Sequence, residues 1–147
     1  MMNHQETEIL FAEDSADDAA LTMRALKKGG LSNVIFHVKD GAEALDFLFS
    51  KGDYINQPIP SHLKLILLDL KMPKVSGMQV LEKAKQDPVL KKIPIVILTS
   101  SKEDPDIKNC YALGASSYIV KPVESDNFFE TIKGMGLYWM ILNQPPQ

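Results

Sequence analysis

The sequence predicts an α/β fold, a doubly wound five-stranded parallel sheet with helices on both faces. Three observations predict it. The runs Ile9-Leu10-Phe11-Ala12, Leu65-Ile66-Leu67-Leu68 and Ile95-Val96-Ile97-Leu98 are continuous rather than alternating, as strands buried on both faces are. Two shorter runs, Val34-Ile35-Phe36 and Tyr118-Ile119-Val120, bring the set to five. Segments with helical spacing follow each run, and repeated right-handed strand-helix crossovers give a parallel sheet covered by helices.

Each element has its own signals. The first helix spans Ala16 to Lys28, where Ala20, Met23 and Leu26 with Lys27 space out a face and Gly29-Gly30 stops the turn. Ser15 followed by Asp18 reads as a capping box at its start. The second helix, Ala42 to Lys51, carries Ala44, Leu45, Leu48 and Phe49, and Gly52 ends it. The connection from Gly52 to His62 holds Pro58 and Pro60 and is long enough to read as a functional or mobile loop. The third helix begins near Ser76, breaks at Asp87-Pro88, and places Val80, Leu81 and Ala84 on one side. The fourth starts near Asp104-Pro105, a proline suited to a first turn, and stops at Gly114. The last begins near Ser125, with Phe128, Ile132, Met135, Trp139 and Leu142 on one stripe. Gly134 and Gly136 interrupt it, at roughly 1 kcal/mol each relative to alanine.

Composition narrows the function. The 147 residues fit one domain, with a core over residues 7–133 and a C-terminal helix extension and tail over 134–147. Sixteen basic residues against nineteen acidic leave a net charge of −3, which argues against a nucleic-acid partner. Cys110 is the one cysteine, so no intrachain disulfide or cysteine-based zinc site forms, and it reads as a small core-facing helix residue. His4, His37 and His62 lack metal-ligand spacing and read as surface residues; Lys27-Lys28 and Lys91-Lys92 read as solvated ends. The polar, acidic start and the lack of a long apolar run predict a cytoplasmic protein that does not enter a membrane.

Ligands in such folds sit beyond the carboxyl ends of the strands. Glu13 and Asp14 follow the first run, Asp69 the third, Thr99 the fourth and Lys121 the fifth. If the first and third strands are neighbours, three carboxylates meet in one crevice, and crowded anions need a cation. Hard oxygen ligands favour magnesium, and manganese is able to substitute. Lys121 supplies a compact positive charge and Thr99 a hydroxyl; with a metal they match the needs of a transferring phosphoryl group. Asp69, ending the middle strand, is the candidate nucleophile. Asp17 and Asp18 instead suit a structural role, favouring the first helix's N-terminus.

These residues resemble the receiver domain of two-component response regulators. The carrying motifs are Ala12-Glu13-Asp14-Ser15, Leu68-Asp69-Leu70-Lys71-Met72-Pro73 with Gly77, Leu98-Thr99-Ser100, and Tyr118-Ile119-Val120-Lys121-Pro122, and the likeness runs from Glu8 to Ile132. The resemblance implies a flavodoxin-like sheet of strand order 2-1-3-4-5. It makes Asp69 the phosphoacceptor. Asp14, Asp69 and the backbone carbonyl of Lys71 would bind magnesium, with Glu13 acting through water. Lys121 would pair with the phosphoryl group, next to a cis peptide to Pro122, and Thr99 with Tyr118 would form a coupled switch pair. The donor would be a phosphohistidine on a sensor histidine kinase, and the readout face the fourth helix, fifth strand and fifth helix. The long loop near Pro58 and the tail around Tyr138-Trp139 look most like stand-alone regulators serving phytochrome-type kinases. Val123 departs from the pattern, standing where a bulky aromatic often follows the Lys-Pro pair.

Rival functions fare worse. A haloacid-dehalogenase-type hydrolase wants a second Asp two residues after the nucleophile, where this chain has Lys71. A flavodoxin-like mononucleotide binder would find Glu13, Asp14, Asp17 and Asp18 repelling its phosphate. A phosphorelay intermediate, or an adaptor that keeps only the fold, is the alternative within the family. Finally, Leu137-Tyr138-Trp139-Met140-Ile141-Leu142 has no polar face, which predicts an interface, with a two-fold homodimer as one use of it.

Overall fold

The computed structural model describes residues 4–100 and 106–134. Five parallel strands, β1 (Ile9–Ala12), β2 (Ile35–Val38), β3 (Leu65–Asp69), β4 (Ile95–Thr99) and β5 (Ser117–Val120), form one sheet in the order β2-β1-β3-β4-β5. The helices are α1 (Ala16–Lys28), α2 (Gly41–Phe49), α3 (Gly77–Lys85), α4 (Asp106–Ala112) and α5 (Ser125–Gly134). This is the predicted doubly wound, flavodoxin-like architecture.

Alternation along the buried strands sorts side chains between two cores. Ile9, Phe11, Leu65, Leu67, Val96 and Leu98 face α1 and α5, packing against Leu26, Phe128 and Ile132. Leu10, Ile66, Leu68, Ile95 and Ile97 face the other side, against Phe47, Leu48, Val80, Leu81 and Cys110. The central strands are buried on both faces, which is why their sequences read as unbroken apolar runs.

Where the structure differs from the sequence-based expectations, the causes are local. β2 starts one residue late: the Val34 N–H is taken by the Glu8 carboxylate at 2.9 Å, while its carbonyl still accepts the Ile9 N–H at 3.0 Å. The buried face of α1 is Ala19, Thr22 and Leu26, while Ala20 is exposed. The expected capping box there is half formed: Ser15 Oγ accepts the Asp18 N–H, but the Ser15 N–H donates to Glu13 Oε2 at 3.2 Å. A complete box occurs instead at Ser76 and Gln79, opening α3. α2 stops at Phe49, not Lys51, because Ser50 turns left-handed at φ 57° and its hydroxyl donates to Gln57 O.

The 52–62 connection is tied down. Tyr54 is buried edge-on against Phe47 and donates to Glu43 Oε2 at 2.8 Å, and Gln5 Nε2 donates to Pro58 O at 2.6 Å. Burial and then the Glu43 carboxylate hold the Tyr54 phenol well above its ordinary range. His62, Lys27, Lys28, Lys91 and Lys92 are exposed as expected, and Cys110 is buried. His37 is not the surface residue expected: its ring is half-buried, 5.5 Å from Phe11. Val123 is buried in the α1–α5 core. The expected start of the fourth helix at Asp104-Pro105 lies outside the described residues, as do Met135, Gly136 and the 137–142 stretch. Among the described residues no helix is long and apolar enough to cross a membrane.

Candidate functional site

The parallel register brings the strand ends to one rim. Ala12 pairs with Leu68, Asp69 with Leu98, and Thr99 with Val120. Glu13, Asp69 and Thr99 are therefore side by side, and all three are buried. Together with exposed Asp14 and Lys71 and with Lys121 they line one crevice, joined by Ser15, Asp18, Leu70 and Ser100.

Backbone contacts fix this geometry. The Glu13 N–H donates to Val38 O at 3.1 Å, and the Leu70 N–H to Leu98 O at 2.9 Å. A ring nitrogen of His37 lies 2.8 Å from Glu13 O, so this histidine braces the carbonyl beside the acidic pair. The Lys71 N–H donates to Asp69 Oδ1 at 3.3 Å. The Gly77 N–H donates to Leu70 O at 3.0 Å, drawing the start of α3 onto the Asp69 backbone. Past β5, the Lys121 N–H donates to Thr99 O at 2.7 Å, and the peptide from Lys121 to Pro122 is cis.

The Lys121 ammonium is the centre of charge. It lies 3.1 Å from Glu13 Oε1, 3.2 Å from Asp69 Oδ2 and 3.3 Å from Asp18 Oδ2. Burial works to lower its pKa, but Glu13 and Asp69 overcome burial and hold it above the ordinary lysine range. Glu13 is pushed up to about 7, first by burial and then by the Asp69 carboxylate. One ammonium thus leaves the carboxylates short of countercharge.

Carboxylate oxygens of Glu13, Asp14 and Asp69 lie within 4.8 Å of one another. That spacing, the all-oxygen donor set and the unbalanced charge fit a hard divalent cation. Asp69, whose Oδ2 also faces Lys121, can meet an electrophile whose negative oxygens the ammonium would stabilise.

Six of the predicted site residues, Glu13, Asp14, Asp69, Lys71, Thr99 and Lys121, meet in this crevice. Tyr118 stands apart from its lining: half-buried on β5, it meets Tyr111 edge-on at 6.0 Å. Leu137, Tyr138, Trp139, Met140 and Ile141 lie outside the described residues. Asp18 is more than the structural residue that its place in the first helical turn suggests, because its carboxylate reaches the crevice. No local spacing signals this reach, because the partner Lys121 is 103 residues away in sequence.

Comparison with known proteins agrees with this geometry. The sequence profile of the response regulator receiver domain matches residues 9–133. The response regulator Rcp1 of Synechocystis sp. is 37% identical over 132 residues, covering 90% of this chain and 88% of its own. A solved Mn2+-bound form of Rcp1 superposes with a TM-score of 0.71 at 36% identity, over 95% of this chain and 98% of that one. The bacteriophytochrome response regulator AtBRR gives a TM-score of 0.81 at 44% identity, over 92% and 96% of the two chains. The phosphorylated cyanobacterial phytochrome response regulator RcpA gives 0.72 at 35% identity, over 96% and 99%.

Proposed function

Because the chain belongs to the response regulator receiver domain family of two-component signalling, we propose that it is a stand-alone phosphorylation switch whose acceptor is Asp69. The observation that carries this reading is the crevice itself, where a buried strand-end Asp69 sits between a carboxylate cluster and the Lys121 ammonium. A carboxylate oxygen of Asp69 attacks phosphorus, the bond from phosphorus to the donor's leaving atom breaks, and an acyl phosphate remains.

Asp14, Asp69 and the Lys71 carbonyl would hold Mg2+ or Mn2+, with Glu13 acting through water. The ion supplies charge neutralisation for the phosphoryl oxygens. Lys121 offsets the same developing charge from the other side. Thr99 then donates its hydroxyl to a phosphoryl oxygen, and Tyr118 follows by turning inward, altering the α4–β5–α5 face. The Mn2+-bound Rcp1 and phosphorylated RcpA structures support this assignment by similarity.

The donor is a phosphohistidine of a sensor histidine kinase, and the likeness to AtBRR and RcpA favours a phytochrome-type kinase. The protein acts in the cytoplasm as a signalling protein that catalyses only its own phosphorylation and dephosphorylation. Its receiver core covers residues 7–133, and the extension over 134–147 supplies a homodimer contact through Leu137, Tyr138, Trp139, Met140 and Ile141. Sedimentation of a Tyr138→Glu, Ile141→Glu variant tests that contact; a protein that is monomeric before mutation refutes it.

The central experiment is incubation with acetyl phosphate and magnesium followed by intact-mass measurement. One base-labile phosphoryl group is expected, absent from Asp69→Asn. Normal labelling of that variant overturns the reading.

A further inference from the structure

Asp18 is the third residue of α1, and its backbone N–H is already held by Ser15 Oγ at 3.1 Å. In a full capping box its carboxylate would reach back to the Ser15 N–H. That donor is taken by Glu13 Oε2, so the Asp18 side chain crosses to the ammonium of Lys121, 103 residues away in sequence. An ammonium has three protons to donate, and here three carboxylates surround it.

The three partners are not equivalent. The side chains of Glu13 and Asp69 are 1% and 8% exposed, whereas that of Asp18 is 46% exposed. Asp18 is also outside the group of carboxylates close enough to share a cation. Without Asp18, the ammonium has, among the described residues, the two buried carboxylates to pair with, and one of these is Asp69. Lys121 already donates to Asp69 Oδ2 at 3.2 Å, and without the pull of Asp18 that contact would tighten.

We propose that Asp18 is a positioning residue: it draws the Lys121 ammonium toward the mouth of the crevice and so loosens its hold on Asp69, easing attack on the incoming phosphoryl group. This rests on the reading of Asp69 as phosphoacceptor. Once the phosphoryl group forms, its oxygens compete for Lys121. Asp18, the wet partner, gives way because water resolvates it at little cost.

The test compares Asp18→Asn with Asp17→Asn. Asp17 is an exposed carboxylate of the same helical turn, so its loss removes the same charge near the helix N-terminus. With acetyl phosphate at saturating magnesium, Asp18→Asn should phosphorylate roughly two- to five-fold more slowly than Asp17→Asn, the range set by a part-exposed ion pair. Asp18→Glu should restore part of the rate. In a Lys121→Met background the difference between the two asparagine variants should disappear. Equal rates for the two variants, or a difference that survives Lys121→Met, overturns the proposal. A separate arm needs no phosphorylation: the 15N-ammonium NMR signal of Lys121 should be protected in the unmutated protein and broaden in Asp18→Asn alone. If the protein takes no phosphoryl group, this arm still decides whether Asp18 holds Lys121. An ammonium signal unchanged by Asp18→Asn refutes it.

Discussion

Gly77, at the start of α3, stands directly against the backbone carbonyl of Asp69, and a Cβ there would run into that oxygen. Neither atom has room to give, since Asp69 is the last residue of a buried strand and Gly77 follows the N-cap Ser76 of a complete capping box. Gly77→Ala should therefore destabilise the protein by about 1–3 kcal/mol, the range for overpacking. Gly134→Ala, where among the described residues nothing lies within 4 Å of an added Cβ, should be neutral or stabilise by up to about 1 kcal/mol. Urea unfolding of both variants checks the contrast.

Metal binding should separate Asp14 from its neighbour in sequence. Asp14→Ala is expected to weaken magnesium affinity about ten-fold or more, through loss of a ligand, and Asp17→Ala by less than about two-fold. Calorimetric titration measures both. Equal losses would move the ion away from the cluster of Glu13, Asp14 and Asp69.

Stability without metal should depend on pH through Glu13. Its carboxyl titrates near 4.5 when unfolded and is raised to about 7 in the fold by burial and Asp69. A raised carboxyl pKa means that the protonated form is favoured in the native state. Its stabilisation is fully present below pH 4.5 and is lost as pH climbs through about 7. In chelator the loss should be on the order of 2 kcal/mol, and Glu13→Gln should remove most of it. Magnesium should stabilise the protein more at pH 7.5 than at pH 5, as thermal melts at the two pH values would register.

Thr99→Ala should uncouple acceptance from response. The hydroxyl is buried at the end of β4 and is not the nucleophile, so mass spectrometry should still find the phosphoryl group. A lost hydrogen bond to a charged group costs about 1.5–3 kcal/mol, enough to lower the activated population about ten-fold or more. Tyr118 ring resonances with and without beryllofluoride report that population. A full shift in the variant would refute the coupling.

Much of the fold and of the crevice is legible in the amino-acid sequence. β1, β3 and β4 stand out as unbroken apolar runs because both their faces are covered, and α1 is bounded by Ser15 and Gly29. The carboxylates are legible for a related reason: in a parallel sheet, the residue after each strand falls on one rim. What escapes depends on contacts distant in sequence or on backbone turns with no glycine to mark them. The late start of β2 goes with Glu8 capturing the Val34 N–H, and the early end of α2 with a serine in a left-handed turn. Neither His37 under Glu13 nor Asp18 beside Lys121 follows any local periodicity.

The position of Lys121 after the last strand has a consequence for how the protein is made. Synthesis runs from the N-terminus, so Glu13, Asp14 and Asp69 leave the ribosome well before their ammonium partner does. Until β5 pairs with β4, the nascent rim lacks the ammonium that Glu13 and Asp69 share in the finished fold. A chain cut before β5 would thus keep the clustered carboxylates of Glu13, Asp14 and Asp69 without the ammonium that faces two of them in the finished fold.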